Sequence, residues 1–344
     1  MQPVSLVWSC AAVAGVSLAL TWLARRYALR ASLMDVPNLR SSHVQPTPRG
    51  GGVAIVGSFL AALAVTYPIG GAPVDVLLVL IGGGGLIALT GFVDDHISMS
   101  AVSRLFIQFL AAAIAVFVVG GYFQAPAPVE FIDVLKGGLT AVGLVWLTNL
   151  YNFMDGIDGL AGVETVTVCG GAALFLAILG GQELVPACLF LAAAAAGFLA
   201  WNWPPARIFM GDVGSAFIGF SIGVLGLAAS RSTEIPLWTW AILLGIFLVD
   251  ATVTLLWRMG SGQRWYAAHR QRPPAAMRPE RIEVPSAVAD FPRETVRVPR
   301  SAVERKLDLR QWTEMEHGGH FAAMEQPEAL VADVRRFFRG IRGG

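Results

Sequence analysis

The sequence predicts an all-α polytopic membrane protein with about nine transmembrane helices, followed by a short polar tail. Two features of composition indicate that the main part is dissolved in lipid. Of the 344 residues, 55% are hydrophobic and only 14% are charged, whereas soluble domains carry about 25% charged residues. The charge is also uneven, because residues 277–344 hold 12 Lys/Arg and 11 Asp/Glu while the 276 residues before them hold 13 of each.

Nine apolar runs approach the roughly 20 residues that a helix needs to cross a bilayer. They cover residues 4–23, 51–67, 74–93, 103–122, 138–153, 159–180, 184–203, 214–230 and 235–257. The first run has no basic residue before it and Arg25, Arg26 and Arg30 after it, which predicts an uncleaved span with its N-terminus outside. In that orientation the inner loops between spans hold seven arginines, and the outer loops hold only Lys136 and Arg231, in agreement with the positive-inside rule.

Carboxylates gather at the inner ends of these runs. Asp94 and Asp95 close the third run, residues 149–159 close the fifth, and Asp212 precedes the eighth. In a membrane body with so few charges, a carboxylate at a span end costs free energy and marks a functional site. Their position at one membrane face favours an enzyme over a transporter, whose polar residues usually lie near the midplane in broken helices.

Residues 149–159 contain a regular polar pattern. Asn149, Asn152, Asp155 and, more loosely, Asp158 recur every three residues, a spacing that places side chains on one face of a helix. Carboxylate and amide oxygens are the ligands that suit Mg²⁺, with Mn²⁺ as an alternative. The pattern therefore predicts a divalent-metal site at the end of the fifth span.

A loop rich in proline and glycine, residues 35–52, carries a further candidate. Arg49 stands directly before three glycines, an arrangement that suits a phosphate cradle of backbone N–H groups and a guanidinium. The loop is equally compatible with a simple connector, and both interpretations stay open.

Four motifs then occur in a familiar order: Pro46-Thr47-Pro48-Arg49-Gly50-Gly51-Gly52, Asp94-Asp95, Asn149-x-x-Asn152-x-x-Asp155-Gly156-x-Asp158-Gly159, and Gly211-Asp212-x-Gly214-Ser215. Over residues 1–271 they resemble those of the polyprenyl-phosphate N-acetylhexosamine-1-phosphate transferases of glycosyltransferase family 4. The proline-containing loop and the later Ala268-His269-Arg270-Gln271 look like the branch of that family that initiates O-antigen synthesis.

The resemblance implies a reaction and a place for it. N-acetylhexosamine-1-phosphate would pass from a UDP-sugar to undecaprenyl phosphate with release of UMP, to start O-antigen or another envelope polysaccharide. The enzyme would lie in the bacterial inner membrane, with its active site and tail on the cytoplasmic side. Nucleic acid is not an expected partner, and the sequence leaves the oligomeric state open.

The resemblance also implies roles for individual residues. Asp212, with Asp155, would hold Mg²⁺ or Mn²⁺, and the catalytic residues would be Asp94, Asp95 and Asp155, the first two acting on the acceptor phosphate. Substrate-binding positions would be Arg49, Asn149, Asn152, Asp158, His269 and Arg270. A two-step route through an aspartyl nucleophile stays open beside direct displacement.

The tail departs from this family. The resemblance stops near Gln271, where the family continues with a further histidine and two more spans, so we expect a domain 1–271 that lacks those spans. Residues 279–340 resemble the C-terminal end of α/β-hydrolases of the epoxide hydrolase type, with His320 at the position of their catalytic base. No nucleophile elbow follows a plausible strand in this sequence, and that chemistry requires one, so residues 272–344 are expected to be a cytosolic, non-catalytic tail.

Three other functions remain as alternatives. The first is a catalytically dead fusion remnant that binds nucleotide without turnover. The second is a membrane transporter, and the third is a membrane-anchored epoxide hydrolase. The absent elbow weighs against the last, and the one-sided carboxylates weigh against the transporter.

Overall fold

A computed structural model describes the chain over residues 2–31, 33–35, 46–70, 72–97, 99–121, 130–260, 282–292, 299–319 and 325–342; the side chains of residues 254–260, 282 and 342 lie outside the description. The chain forms two compact units, Met1–Ser261 and Gly262–Gly344. The predicted boundary at residue 271 falls in the stretch 261–281, outside the described residues.

The first unit is a helical bundle. Its helices are α1 (Pro3–Arg30), α2 (Gly52–Thr66), α3 (Val74–Val79), α4 (Gly85–His96), α5 (Ala101–Val118), α6 (Phe131–Met154), α7 (Leu160–Leu179), α8 (Val185–Asn202), α9 (Asp212–Ser232), α10 (Leu237–Leu243) and α11 (Gly245–Gly260). A π-helical segment, Leu80–Gly84, joins α3 to α4. A short 3₁₀ turn, Tyr67–Ile69, follows α2.

The polytopic, all-α membrane fold is confirmed. In the part of the chain that the structure describes, eight helical stretches are long and apolar enough to cross a bilayer, with α3 and α4 counted as one. The ninth predicted run is divided at Leu244, where ψ is 10°, so α10 and α11 are each shorter than a spanning helix. The fifth span begins earlier than predicted because a capping box between Glu130 and Asp133 stabilises a polar first turn.

Helix α9 forms the centre of the bundle. Apart from Gly223, every residue from Val213 to Ala229 is buried, and the neighbours of α9 include α2, α4 and α6. Glycines allow these helices to touch backbone to backbone. A Cβ on Gly91 would lie 2.5 Å from the carbonyl oxygen of Asp212, and a Cβ on Gly52 would lie 2.3 Å from Cα of Gly214.

The loops at this end of the bundle are tied together by hydrogen bonds. A small antiparallel ribbon, β1 (Met34–Asp35) with β2 (Thr47–Pro48), precedes α2. The amides of Gly51 and Gly52 then donate to the carbonyls of Phe209 at 2.9 Å and Met210 at 2.8 Å. The segment before α9 is thereby fixed against the start of α2.

A buried amide fixes the same segment from its other side. Asn202, at the end of α8, accepts a hydrogen bond from the Gly159 amide at 2.9 Å and donates to the Ile208 carbonyl at 3.0 Å. The Asp158 carboxylate accepts a hydrogen bond from the Ala206 amide at 2.9 Å. The starts of α7 and α9 are thus linked through the end of α8.

The second unit is small. It contains β3 (Ile282–Asp290), α12 (Arg300–Glu304), β4 (Leu307–Glu314) and α13 (Pro327–Arg342), with β3 and β4 paired in parallel. The buried Asp333 of α13 accepts a hydrogen bond from Thr313 Oγ1 of β4 at 2.6 Å. The relation to α/β-hydrolases stays a sequence prediction, and His320 lies outside the described residues.

The contact between α4 and α9 leads to a test. We expect Gly91→Ala to destabilise the bundle by about 1–3 kcal/mol, because the added methyl group meets backbone that cannot rotate away. Gly85→Ala is the matched control in the same helix, since a Cβ there meets nothing within 4 Å. Thermal unfolding of both variants in detergent measures the difference. Equal midpoints for the two would show that α4 and α9 do not touch at Gly91.

Candidate active site

Four acidic side chains meet at one end of the bundle. Asp94 and Asp95 lie in the last turn of α4, Asp155 follows the last residue of α6, and Asp212 is the first residue of α9. The carboxylates therefore come from three different helices whose ends lie at the same side of the unit. The sequence prediction that these motifs form a single site agrees with this placement.

Asp95 is the most deeply buried of the four. Its side chain is 6% exposed, and its two oxygens accept hydrogen bonds from the amides of Asp212 and Val213, each at 3.4 Å. These amides begin α9, where unpaired N–H groups and the helix dipole favour a negative charge. Arg49 donates a hydrogen bond to the backbone carbonyl of Asp95. A Cβ on Gly211, whose φ is +77°, would lie 2.6 Å from the Asp95 carboxylate.

Asp94 is held by a different set of donors. It accepts hydrogen bonds from the Met99 amide at 2.5 Å and from Arg104 Nη1 at 2.8 Å. The same Arg104 nitrogen lies 3.5 Å from Oδ2 of Asp212. Arg104, in the first turn of α5, thus joins two of the predicted site residues.

The sequence analysis missed Arg104 as a site residue. It counted this side chain only as a charge that sets membrane orientation. The available signal was its position, since Arg104 is the only charged residue of the apolar helix α5 and lies on the same membrane side as the acidic motifs.

Asp155 is the carboxylate whose charge is least compensated. It is half-buried, and burial together with the negative charges of Asp212, Asp95 and Asp158 raises the pKa of its carboxyl well above the ordinary value. Repulsion among like charges of this kind is relieved by a bound cation.

The polar pattern in residues 149–159 is helical only as far as Met154, where α6 ends. Asn152 donates a hydrogen bond to Ser215 Oγ at 3.2 Å and so connects α6 to the start of α9. Asn149 donates to Oε1 of the buried Gln108 of α5 at 2.6 Å. Asp158 lies beyond the end of α6, where its carboxylate accepts the hydrogen bond from the Ala206 amide. It therefore does not share the helical face that the sequence pattern predicted.

Gln108 was also missed by the sequence analysis. A single amide inside an apolar run gives no motif, and its partner Asn149 is 41 residues away in the chain.

An apolar cavity of 470 Å³ opens beside Asp95. Its walls come from α1, α2 and α4, and its polar lining consists of Arg49, Asp95 and His96 at one end together with Tyr27. The Nε atom of Arg49 is buried and has no hydrogen-bond partner in the described structure. His96 is exposed, with Nδ1 at 2.8 Å from the Phe92 carbonyl oxygen. The cavity combines an apolar body with a charged end that holds a guanidinium and a carboxylate.

The donor set suits a divalent cation that keeps other ligands. Among the described residues, no three acidic, histidine or cysteine side chains converge to enclose a metal ion by themselves. Mg²⁺ commonly takes only one or two protein carboxylates and completes its shell with water and substrate phosphates. Four carboxylates facing the two guanidinium groups of Arg49 and Arg104 leave a formal charge that one divalent ion would balance.

The remaining predicted residues, His269 and Arg270, lie outside the described residues.

Comparison with known proteins links this site to a family. The model of the family described as glycosyl transferase family 4 matches residues 77–230, which include the three acidic motifs. A probable undecaprenyl-phosphate N-acetylglucosaminyl 1-phosphate transferase of Bacillus subtilis is 32% identical over 260 residues, covering 70% of this chain and 68% of the relative. The chain belongs to glycosyl transferase family 4.

Two further relatives extend the comparison within family 4. An undecaprenyl-phosphate alpha-N-acetylglucosaminyl 1-phosphate transferase of Yersinia pestis is 27% identical, covering 74% of this chain and 72% of the relative. A decaprenyl-phosphate N-acetylglucosaminephosphotransferase of Mycolicibacterium smegmatis is 30% identical, covering 74% of this chain and 70% of the relative. Arg49 and its loop lie before the region that the family model matches.

The burial of Asp155 and the negative charges around it predict a loss of stability as pH rises. A carboxyl whose folded-state pKa is raised destabilises the fold as pH rises from the ordinary carboxyl range through the raised value. We therefore expect Asp155→Asn to raise the apparent Tm in EDTA at neutral pH by about 2–4 °C, and to remove this pH-dependent loss. Thermal unfolding between pH 4 and pH 8 measures both effects, where about 4 is the ordinary carboxyl pKa.

The control for this test is Asp75→Asn. Asp75 lies at the opposite end of the bundle, 3.9 Å from Arg231, so its removal relieves no repulsion. If Asp155→Asn and the parent protein lost stability in parallel as pH rises, the charges around Asp155 would not be the cause.

Proposed function

We propose that the chain transfers N-acetylhexosamine-1-phosphate from a UDP-sugar to polyprenyl phosphate, in particular undecaprenyl phosphate, and releases UMP. The observation that carries the proposal is the meeting of Asp94, Asp95, Asp155 and Asp212 at one end of a membrane bundle, beside an apolar cavity with a guanidinium at its end. This combination suits a substrate that is a phosphate at one end and a hydrocarbon at the other. The names of the three relatives combine a polyprenyl phosphate with the transfer of N-acetylglucosamine phosphate, which supports the coarser part of this proposal.

The reaction requires alignment and charge neutralisation more than covalent help. An oxygen of the lipid phosphate attacks the phosphorus that carries the sugar, and the bond between that phosphorus and the UMP oxygen breaks. A phosphate monoester has a second pKa near 6, so the nucleophile is largely dianionic at neutral pH and needs no strong base.

The hydrogen bonds of the carboxylates suggest how the roles divide. Asp94 and Asp95 each accept two hydrogen bonds, which hold both carboxylates in fixed positions. They would act by positioning the acceptor phosphate and the residues around it. Arg49, with its unpaired Nε, would bind a phosphate oxygen.

Asp212 and Asp155 would hold Mg²⁺, or Mn²⁺ in its place. The ion would supply positive charge to the diphosphate of the donor as the leaving group develops its negative charge. Asn152 is placed to keep Asp212 and Ser215 in position, since it reaches across from α6 to α9.

Location and biological role follow from the same proposal. The enzyme would lie in a bacterial inner membrane, and the arginine distribution supports a cytoplasmic position for the acidic end, where a UDP-sugar is available. The product would start the synthesis of O-antigen or another envelope polysaccharide. N-acetylglucosamine is the first sugar to test, because it appears in the names of the three relatives.

The decisive experiment follows radiolabel from UDP-N-acetylglucosamine into undecaprenyl phosphate in membranes that contain the full chain. We expect Mg²⁺-dependent label in the lipid, UMP in the water phase, and no transfer in EDTA. If a well-inserted protein transfers nothing, a panel of 6-deoxy UDP-sugars separates a different donor from a dead remnant, which would bind nucleotide without turnover.

A substitution tests the metal assignment. Asp212→Asn keeps the size of the side chain and removes its charge, so we expect at least about a 100-fold loss of Mg²⁺-dependent transfer. Asp75→Asn, an acidic residue at the opposite end of the bundle, should keep normal activity. Near-normal turnover of Asp212→Asn would show that Asp212 does not hold the ion.

A further inference from the structure

Helix α13 of the second unit packs against the strand pair with one side only. On that side Asp333 is 4% exposed and bonded to Thr313, and Leu330 and Phe337 are partly buried. These three positions follow each other at spacings of three and four residues, which places them on one face of the helix. The strands β3 and β4 therefore cover only this face of α13.

A second apolar face of α13 is exposed. Its side chains are Val331, Val334, Phe338 and Ile341, which are between 41% and 51% exposed. They too are spaced three or four residues apart and form a continuous stripe along the helix. This stripe, Val331 to Ile341, is called the outer stripe below.

Arginines border the outer stripe. At 100° per residue, Arg335 and Arg339 lie roughly 40–80° around the helix from Val331. Both are exposed, and within the described residues neither forms an ion pair. Arg336 points to a different side, where it is 67% exposed and 3.7 Å from Asp333.

We propose that α13 lies on an anionic membrane surface. The outer stripe enters the boundary between headgroups and acyl chains, and Arg335 and Arg339 meet lipid phosphates. An exposed apolar stripe flanked by arginines is the composition of helices that lie in this interface. The proposal is independent of the transferase function.

Chain connectivity supports a membrane as the occupant. Only residues 261–281 separate the membrane unit from β3, and 21 residues span at most about 75 Å. The bilayer is thus always within reach, and tethering makes docking an intramolecular event with a high effective concentration.

Charge argues against a second copy on the same surface. A two-fold contact would bring the outer stripe of one chain against that of another. The flank beside each stripe carries Arg335 and Arg339 and, within α13, the single acidic residue Glu328. Two such flanks would face each other with an excess of positive charge, which is unfavourable. Anionic lipid supplies the complementary charge.

The test uses the full chain in nanodiscs that hold one copy each, with phosphatidylcholine alone or mixed with phosphatidylglycerol. An environment-sensitive fluorophore is attached at Val334→Cys, and Arg336→Cys on the other side of α13 is the matched control. The parent protein, in which Cys169 and Cys188 are buried and Cys10 is half-buried, gives the labelling background.

We expect the label at position 334 to resist an aqueous quencher only in the anionic discs, and the label at position 336 to remain quenchable in both. Replacing Arg335 and Arg339 by Gln should lower the ratio of docked to undocked tail about 30-fold. Both positions are exposed, and amide hydrogen exchange of β3 and β4 verifies that the unit stays folded.

Two outcomes would overturn the proposal. Equal quenching at both positions in anionic discs would mean that the stripe stays in water. Protection that appears only in discs with two copies would mean that a second chain covers it. Neither outcome affects the transferase proposal, because sugar-phosphate transfer is measured separately.

Discussion

The start of α9 touches α2 and α4 backbone to backbone, and the whole acidic site depends on this contact. Gly52 meets Gly214, and Gly91 meets Asp212 and Val213, at distances that leave no room for a side chain. Through this contact the last turn of α4 delivers Asp94 and Asp95 to the first amides of α9. The same contact fixes the position of Asp212 at the end of the bundle.

The acidic site stands against a strongly apolar background. Four carboxylates share two arginines, and Asp155 carries the strongest uncompensated repulsion. Such a cluster persists because the helices beneath it are closely packed, with Phe59, Phe217 and Phe220 among the fully buried side chains. Local instability at the charged end is thus offset by packing in the middle of the membrane, a division that functional sites commonly show.

The sequence predicted the spans and the meeting of the acidic motifs well. Spans are visible because length and hydrophobicity are local properties, and the motifs meet because successive spans alternate in direction. The predicted helical face that begins at Asn149 was too long. Helix α6 ends at Met154, and the Asp158 carboxylate beyond it accepts a hydrogen bond from the Ala206 amide. Gly245 directly follows the break at Leu244, but an isolated glycine in an apolar run is tolerated within a helix and does not by itself predict a break.

Polar residues whose partners are distant in the chain were harder to find. The sequence neighbours of Arg104, Gln108 and Asn202 are mostly apolar. The role of each of these side chains follows only from its contact with another helix or loop. Periodicity and motif spacing carry no information about such pairs. Their discovery required coordinates, whereas Asp94, Asp95, Asp155 and Asp212 belong to compact patterns.

The hydrogen bonds of Asp95 have a consequence for experiments on enzymes of this kind. Its carboxylate accepts hydrogen bonds from the amides that open α9, and it also lines the apolar cavity. A loss of activity at Asp95 therefore confounds misfolding with a chemical defect, and mutational scans that score activity alone will overstate its part in the reaction. Asp155 is better suited to separate the two, because it takes little part in holding the helices together.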